Sequence, residues 1–114
     1  MYSILFAAPL FNPLALQFIQ TLGRLPEVRL GVISQEPQEI LAPDVRQGIA
    51  AHWRVDNALE AGQLQRGAEA LIRQLGPVHR FLAINEQIQG PVAEVRERLG
   101  IEGTSVEVAK YFRD

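Results

Sequence analysis

The chain opens with an uninterrupted apolar run that predicts a buried strand. Tyr2 to Ala8 contains Ile4-Leu5-Phe6-Ala7 and shows no alternation of apolar and polar positions. Such a strand is covered on both faces, as central strands of parallel sheets are. Asn12-Pro13 then predicts the start of a helix, because asparagine caps free amides and proline fits the first helical position. This helix runs to about Thr21, and its predicted apolar face consists of Leu14, Phe18, Ile19 and Leu22.

Two further strands follow, and their patterns differ. Val28 to Ile33 repeats the pattern of the first strand. A polar connection comes next, with a short helical turn predicted near Ala42 to Arg46. Ile49 to Val55 alternates between apolar and polar positions, which indicates one wetter face. We therefore place this third strand at an edge of the sheet.

The second half of the chain continues with alternating helices and strands. Asp56 or Asn57 is the predicted cap of a helix that Gly76-Pro77 ends, and His79 to Ile84 is the fourth predicted strand. The core positions of that helix have helical spacing and are Leu64, Ala68, Leu71, Ile72 and Leu75. A further helix is marked by Ile88, Val92, Val95 and Leu99 and closed by Gly100. The capping-box spacing of Thr104 and Glu107 predicts a last helix from about Ser105.

This order of elements predicts the fold class. It indicates an α/β protein with right-handed crossovers, that is, a Rossmann-like three-layer α/β/α half-domain. The sheet is expected to be mainly parallel and four-stranded, in the order 3-2-1-4. Ligands of such sheets bind beyond the carboxyl ends of the strands, at the switch point between strands 1 and 4. The substrate-binding candidates are therefore Ala8, Pro9, Asn12, Asn85, Glu86 and Gln87.

Composition and charge limit the partners and the cellular location that are expected for the protein. The chain has 114 residues, a formal net charge of -2 and no cysteine. Nucleic acid is not expected as a partner, because basic residues are not clustered. Met1 to Gly23 lacks charge, but prolines and polar residues interrupt it and no basic residue precedes Arg24, so neither a membrane anchor nor a signal peptide is expected. A cytoplasmic location fits this composition, and a homodimer is compatible with it.

Two of the candidate segments allow more than one interpretation. Glu86 follows a buried strand directly, where it would accept hydrogen bonds from a substrate amine. The alternatives are a solvated residue or a cap on the next helix. The loop Ala8 to Asn12 is either a ligand contact or a hydrophobic turn under another domain.

Several kinds of chemistry lack the residues they need. The first loop has no glycine where a dinucleotide-binding fold carries G-x-G-x-x-G, and Ser34 stands where a ribose-binding carboxylate would end strand 2. His52 and His79 have no partners at metal-ligand spacing, so no metal ligand is assigned. Ser3, Ser34 and Ser105 have no nucleophile-elbow context. No catalytic residue is assigned.

The last third of the chain contains three motifs, Phe81-Leu-Ala-Ile-Asn-Glu86, Leu99-Gly-Ile-Glu-Gly-Thr-Ser105 and Lys110-Tyr-Phe-Arg-Asp114. With these motifs the chain resembles the ATP-grasp superfamily of ligases. In that superfamily a strand ends in a glutamate, a helix leads to an L-G-x-x-G-x-S turn, and the next helix finishes in R-D-K. The specific resemblance is to the pre-ATP-grasp domain of carbamoyl-phosphate synthase-like and biotin carboxylase-like ligases.

The resemblance implies both a function and a domain organisation. Enzymes of this superfamily use ATP and Mg2+ to convert a carboxylate into an acyl phosphate, which an amine attacks. Residues 1–103 would form the pre-ATP-grasp domain, and residues 104–114 would begin the helix that links it to ATP-grasp domains of the same chain. The full-length enzyme would use ATP and Mg2+, whereas this fragment would bind neither and be inactive alone. By the same resemblance Glu86 matches the family's strand-end glutamate, and the Ala8 to Asn12 loop matches a substrate loop that lacks its usual glycines here.

A different class of function also fits the predicted fold. The alternative is a stand-alone Rossmann-like or flavodoxin-like module that binds a small ligand or a protein. A domain that packs on others should expose an apolar patch, either at Tyr111 and Phe112 or at the Leu10-Phe11 loop, whereas a stand-alone module should not.

Overall fold

The computed structural model describes residues 1–102, which form one parallel sheet with helices on both faces. The strands are β1 (Tyr2–Ala8), β2 (Val28–Ser34), β3 (Ile49–Arg54) and β4 (Arg80–Ala83). The α-helices of these residues are α1 (Pro13–Gly23), α2 (Pro43–Gln47), α3 (Ala61–Leu75) and α4 (Gln89–Leu99). Short 3-10 turns lie at Gln38–Ile40 and Glu86–Ile88. The last helix predicted from Ser105 and the segment 104–114 lie outside the described residues.

The sheet has the predicted strand order. It is four-stranded, its neighbours run β3-β2-β1-β4, and every pair is parallel. The Rossmann-like three-layer α/β/α fold is therefore confirmed. Because the strands are all parallel, their carboxyl ends meet along one side of the sheet, which we call the carboxyl edge.

Each face of the sheet carries its own hydrophobic cluster. On one face α1 packs on residues of β1, β2 and β4, with Ile19 and Phe6 among the fully buried members. On the other face α3 and α4 pack on Leu5, Phe81 and their neighbours. Both faces of β1 are thus covered, which is why its sequence shows no alternation. The helices that follow β1 and β4 leave toward opposite faces of the sheet.

Helix α1 begins as predicted but buries a narrower stripe. The side chain of Asn12 caps it, and Gly23 is its last residue. Its buried positions are Ala15, Ile19 and Leu22, whereas the predicted core residue Leu14 is 54% exposed. Leu14 lies on the same side of the helix as the partly buried Phe18, whereas Ala15, Ile19 and Leu22 form the stripe that faces the sheet.

Helix α3 starts later than the sequence suggests. The predicted cap at Asp56 or Asn57 is wrong, because Glu60 is the capping residue and its carboxylate accepts from the Gln63 amide at 2.8 Å. The Gln63 side-chain oxygen in turn accepts from the amides of Asp56 and Asn57. These bonds satisfy the amides of the loop without a helix there, so the helix begins at Ala61.

The third strand lies at the edge of the sheet, as its alternating pattern predicts. Ala51 and Val55 are buried under α3, and Trp53 between them is 38% exposed. Trp53 lies against Gly67 of α3, where an added Cβ would come within 2.8 Å of the Trp53 Cδ1 atom. A glycine at that position therefore allows the helix to approach the indole ring closely.

Helix α4 ends at the predicted glycine. Gly100 has a φ of 69°, in the left-handed region, and its amide donates to backbone carbonyls of the last turn. Glycine adopts this conformation without the steric cost that a side chain brings. Within residues 1–102, each helix falls short of the length and apolar character that a membrane span requires.

Candidate functional site

The structure brings the two predicted site segments to one place on the carboxyl edge. Ala7 of β1 lies opposite Ala83 of β4, so these neighbouring strands end side by side. The loop of residues 9–12 follows the first strand, and Asn85 to Gln87 follow the second. Since α1 and α4 diverge to opposite faces, a switch point lies between the two segments.

On the β1 side of the switch point, the candidate residues are held by internal contacts. Ala8 is fully buried beneath α1. The Pro9 carbonyl accepts from the Gln35 amide at 3.0 Å. The Asn12 side-chain oxygen accepts from the Ala15 amide at 2.8 Å, which is its helix-capping bond. A ligand on this side would meet the loop's outer surface, where Asn12 is exposed.

On the β4 side, the candidate side chains are open. Glu86 and Gln87 are exposed and Asn85 is half-buried. Neither the 3-10 turn at Glu86–Ile88 nor α4 has a side-chain capping bond, so Glu86 caps neither by hydrogen bonding. Within residues 1–102 the Glu86 carboxylate has no hydrogen-bond or ion-pair partner. Its carboxylate oxygens are therefore available to a ligand that donates hydrogen bonds.

Gln89 holds the end of β4 and was not singled out from the sequence. Its side-chain nitrogen donates to the carbonyl of Ala83 at 2.7 Å and to that of Asn85 at 3.2 Å. These bonds fix the backbone from which Glu86 projects. No motif signals this role, because glutamine is common at the start of a surface helix.

A second unpredicted contact joins the loop after β1 to the loop after β2. The Glu36 carboxylate accepts from the Phe11 amide at 2.7 Å. The two residues are 25 positions apart in sequence. Only the pairing of β1 with β2 brings them together. The carboxylate thus lies two residues beyond β2 and is directed at the backbone of the candidate loop.

Ser34, which is buried, and His52, which is half-buried, form a hydrogen-bonded pair on neighbouring strands. The Ser34 Oγ atom lies 2.7 Å from the His52 Nε2 atom and 2.6 Å from the Glu36 carbonyl oxygen. A carbonyl only accepts, so the Ser34 hydroxyl donates to Glu36 and His52 donates from Nε2 to Ser34. Burial lowers the pKa of His52, an effect that Glu39 opposes and Arg54 reinforces.

This serine–histidine pair is unsuited to nucleophilic catalysis. Ser34 is fully buried, so a substrate has no access to its hydroxyl. The histidine donates to the serine instead of accepting its proton, whereas a general base must accept that proton. The pair therefore belongs to the framework of the carboxyl edge.

The residues at this edge do not fit bound ATP or magnesium. The loop of residues 9–12 has no glycine, and its Phe11 amide is already occupied by Glu36. A phosphate cradle needs several free backbone amides. In the part of the chain that the structure describes, no group of three or more His, Asp or Glu residues is arranged to hold a metal ion. We therefore derive no chemical step through ATP or magnesium from residues 1–102.

A shallow groove of about 530 Å³ lies beside the site. Its walls are α1 and the connection between β2 and β3, and they include Phe11, Leu16, Ile40 and Val45. It lies on the side of α1 away from β4, so it does not include Glu86.

No protein-family model matches the chain, and no curated protein matches it significantly.

Proposed function

We propose that this chain is the N-terminal substrate-cleft domain of an ATP-grasp ligase of the carbamoyl-phosphate synthase-like and biotin carboxylase-like kind. Such a ligase joins a carboxylate to an amine at the expense of ATP, through an acyl phosphate. The observation that carries the proposal is the placement of Glu86. Its carboxylate is exposed and unpartnered within residues 1–102, at the switch point of a sheet ordered 3-2-1-4.

In this proposal the domain contributes one wall of the substrate cleft. Glu86 accepts hydrogen bonds from the amine substrate, and the Pro9 and Asn12 loop borders the same cleft. ATP and Mg2+ bind to the ATP-grasp domains of the full-length enzyme. Those domains supply the phosphoryl group, and the domain described by residues 1–102 orients the substrate. We place the enzyme in the cytoplasm.

The loop beside the site exposes one of the two apolar residues of the predicted patch. Leu10 is 55% exposed, whereas Phe11 is half-buried and packs against the cluster under α1. Singly exposed apolar side chains are common on protein surfaces, so this loop does not separate the ligase domain from a stand-alone binding module. Tyr111 and Phe112, the other expected patch, lie outside the described residues.

The coding region that follows the codon of Asp114 provides the first test. The proposal requires a lysine next and then roughly 200 residues, about the length of two further domains. A stop codon there would refute the proposal. So would a following region without the acidic residues that hold magnesium.

The full-length protein provides the functional test. We expect ADP formation that depends on both a carboxylate and an amine. Glu86→Gln should raise the KM for the amine, since the neutral amide attracts an ammonium group less than a carboxylate does. The matched control is Glu94→Gln, because Glu94 is an exposed glutamate on α4 that pairs with Arg98 at 2.6 Å. Equal KM values for Glu86→Gln and the unaltered enzyme would remove Glu86 from the site.

A further inference from the structure

The loop after β1 is built differently from the phosphate-binding loops of similar sheets. In those sheets, backbone amides at the start of the first helix bind an anionic ligand. Here α1 begins at Pro13, and the amide of Phe11, in the loop just before the Asn12 cap, donates to a carboxylate of the protein itself, Glu36, at 2.7 Å. An internal carboxylate thus occupies a backbone amide of the loop that, in those sheets, lies next to the phosphate.

The segment Ser34 to Glu36 is well placed to hold that carboxylate still. The Ser34 hydroxyl donates to the Glu36 carbonyl at 2.6 Å and accepts from His52. The Gln35 carbonyl accepts from the Arg54 Nε at 2.8 Å, and the Gln35 amide donates to Pro9 at 3.0 Å. Every residue of the segment is therefore tied to β3 or to the loop after β1.

These hydrogen bonds form a continuous series along the carboxyl edge. They begin at the edge strand β3, pass through residues 34–36 beyond β2, and end at Pro9 and Phe11 beside β1. The loop has no glycine, so fewer conformations are open to it once Phe11 and Pro9 are held. Its outer surface is then presented to the switch point in one arrangement.

We infer that Glu36 is a positioning residue for the candidate substrate loop, and that its carboxylate occupies the Phe11 amide in place of a bound phosphate. Glu36 acts through the loop and does not touch the substrate. The role in catalysis rests on the proposed function, whereas the role in holding the loop does not.

Hydrogen exchange of the Phe11 amide in the 114-residue chain tests the loop directly. Glu36→Ala should speed this exchange about tenfold, which corresponds to the loss of a bond of about 1.4 kcal/mol. Glu36→Gln keeps an acceptor oxygen and should restore most of the protection. Glu27→Ala is the matched control, because Glu27 is an exposed glutamate just before β2, at the other end of that strand. The Ala15 amide, held by Asn12, should exchange at the same rate in every variant.

Two results would overturn the inference. One is unchanged exchange at Phe11 in Glu36→Ala, with Trp53 fluorescence showing that the variant is folded. The other is a shift of the Phe11 amide resonance when inorganic phosphate is added to the unaltered chain, since that would mean that phosphate displaces Glu36.

The full-length enzyme separates this inference from the proposed function. If ligation is found, Glu36→Ala should raise the KM of the substrate more than it lowers kcat, and Glu36→Gln should recover most of the loss. If no ligation is found, the proposed function fails, whereas the exchange experiment still decides the role of Glu36.

Discussion

The two halves of the carboxyl edge are built on opposite principles. On the side of β2 and β3, the polar side chains of Ser34, Glu36 and His52 form hydrogen bonds with other groups of the protein. Beyond β4 the side chains of Glu86 and Gln87 are exposed and have no partner within residues 1–102. The bound half has the character of a framework, and the open half has the character of a binding surface.

The connections that follow the strands explain the contrast. After β2 the chain runs through residues 35–48 before β3 begins, and the Glu36 carbonyl of this connection accepts from the Ser34 hydroxyl. After β4 it turns at once through Glu86–Ile88 into α4. A long connection can enclose polar groups and satisfy them, whereas a short turn leaves its side chains in solvent.

The largest loss of stability is expected for a substitution in the bound half. Ser34→Ala removes the acceptor of His52 and the donor to the Glu36 carbonyl, so the free energy of unfolding should fall by about 1 to 3 kcal/mol. Denaturant unfolding measures it. A double-mutant cycle with His52→Ala should be non-additive by at least about 0.5 kcal/mol, because the two side chains share a bond. Full additivity would contradict the pairing.

A smaller effect on stability is expected at the end of β4, in the open half. Gln89→Ala frees the carbonyls of Ala83 and Asn85, and should cost about 0.5 to 1.5 kcal/mol of stability. Gln87→Ala, two residues earlier and exposed, should change stability by less than about 0.5 kcal/mol. Equal losses in the two variants would mean that Gln89 does not support the turn.

The pH dependence of the free energy of unfolding tests His52, which belongs to the bound half. Burial lowers the pKa of His52 in the folded chain, so the unfolded chain binds more protons below about 6.5. The stability that neutral His52 allows is therefore complete above that pH and is lost as the pH falls below it. His52→Gln keeps a donor for Ser34 and should flatten this part of the stability curve.

Glu39→Gln should act in the opposite direction. The Glu39 carboxylate raises the pKa of His52, so its removal lets that pKa fall further and steepens the loss at acid pH. Unfolding midpoints measured at intervals between about pH 7 and 5 span the titration of an ordinary histidine. A curve for His52→Gln as steep as that of the unaltered chain would assign the slope to other groups.

The smallest effect on stability is expected at the open half. Glu86→Gln removes a charge that has no partner within residues 1–102, so the free energy of unfolding should change by less than about 0.5 kcal/mol. Thermal or denaturant unfolding measures it. A loss above 1 kcal/mol would mean that Glu86 supports the fold, and would weaken its assignment to a binding site.

Local pattern was sufficient to predict the order and placement of the strands. The apolar run of β1 indicated a strand covered on both faces, and the alternation near Trp53 indicated an edge strand. Asn12 and Gly100 were predicted at the helix ends where they lie. Burial and capping impose these patterns on residues that are neighbours in sequence, so the sequence displays them directly.

The sequence did not show which of several possible capping residues begins α3. Asp56, Asn57 and Glu60 are all acceptable at a helix start, and the choice of Glu60 depends on where the Gln63 side chain finds its partners. Leu14 likewise has the right spacing for a core position. The structure nevertheless leaves Leu14 54% exposed, next to the buried Ala15.

The structure places the two predicted segments side by side after β1 and β4, and their role as a site stays a prediction. The division of the carboxyl edge into two halves follows from contacts between strands. Residues 8–12 and 85–87 can be located from element order, because parallel strands bring their carboxyl ends together. The bonds of Glu36 to Phe11 and of Ser34 to His52 join residues 25 and 18 positions apart. Such bonds depend on how the strands pair in the folded sheet. They therefore cannot be predicted from the types of residue along the chain.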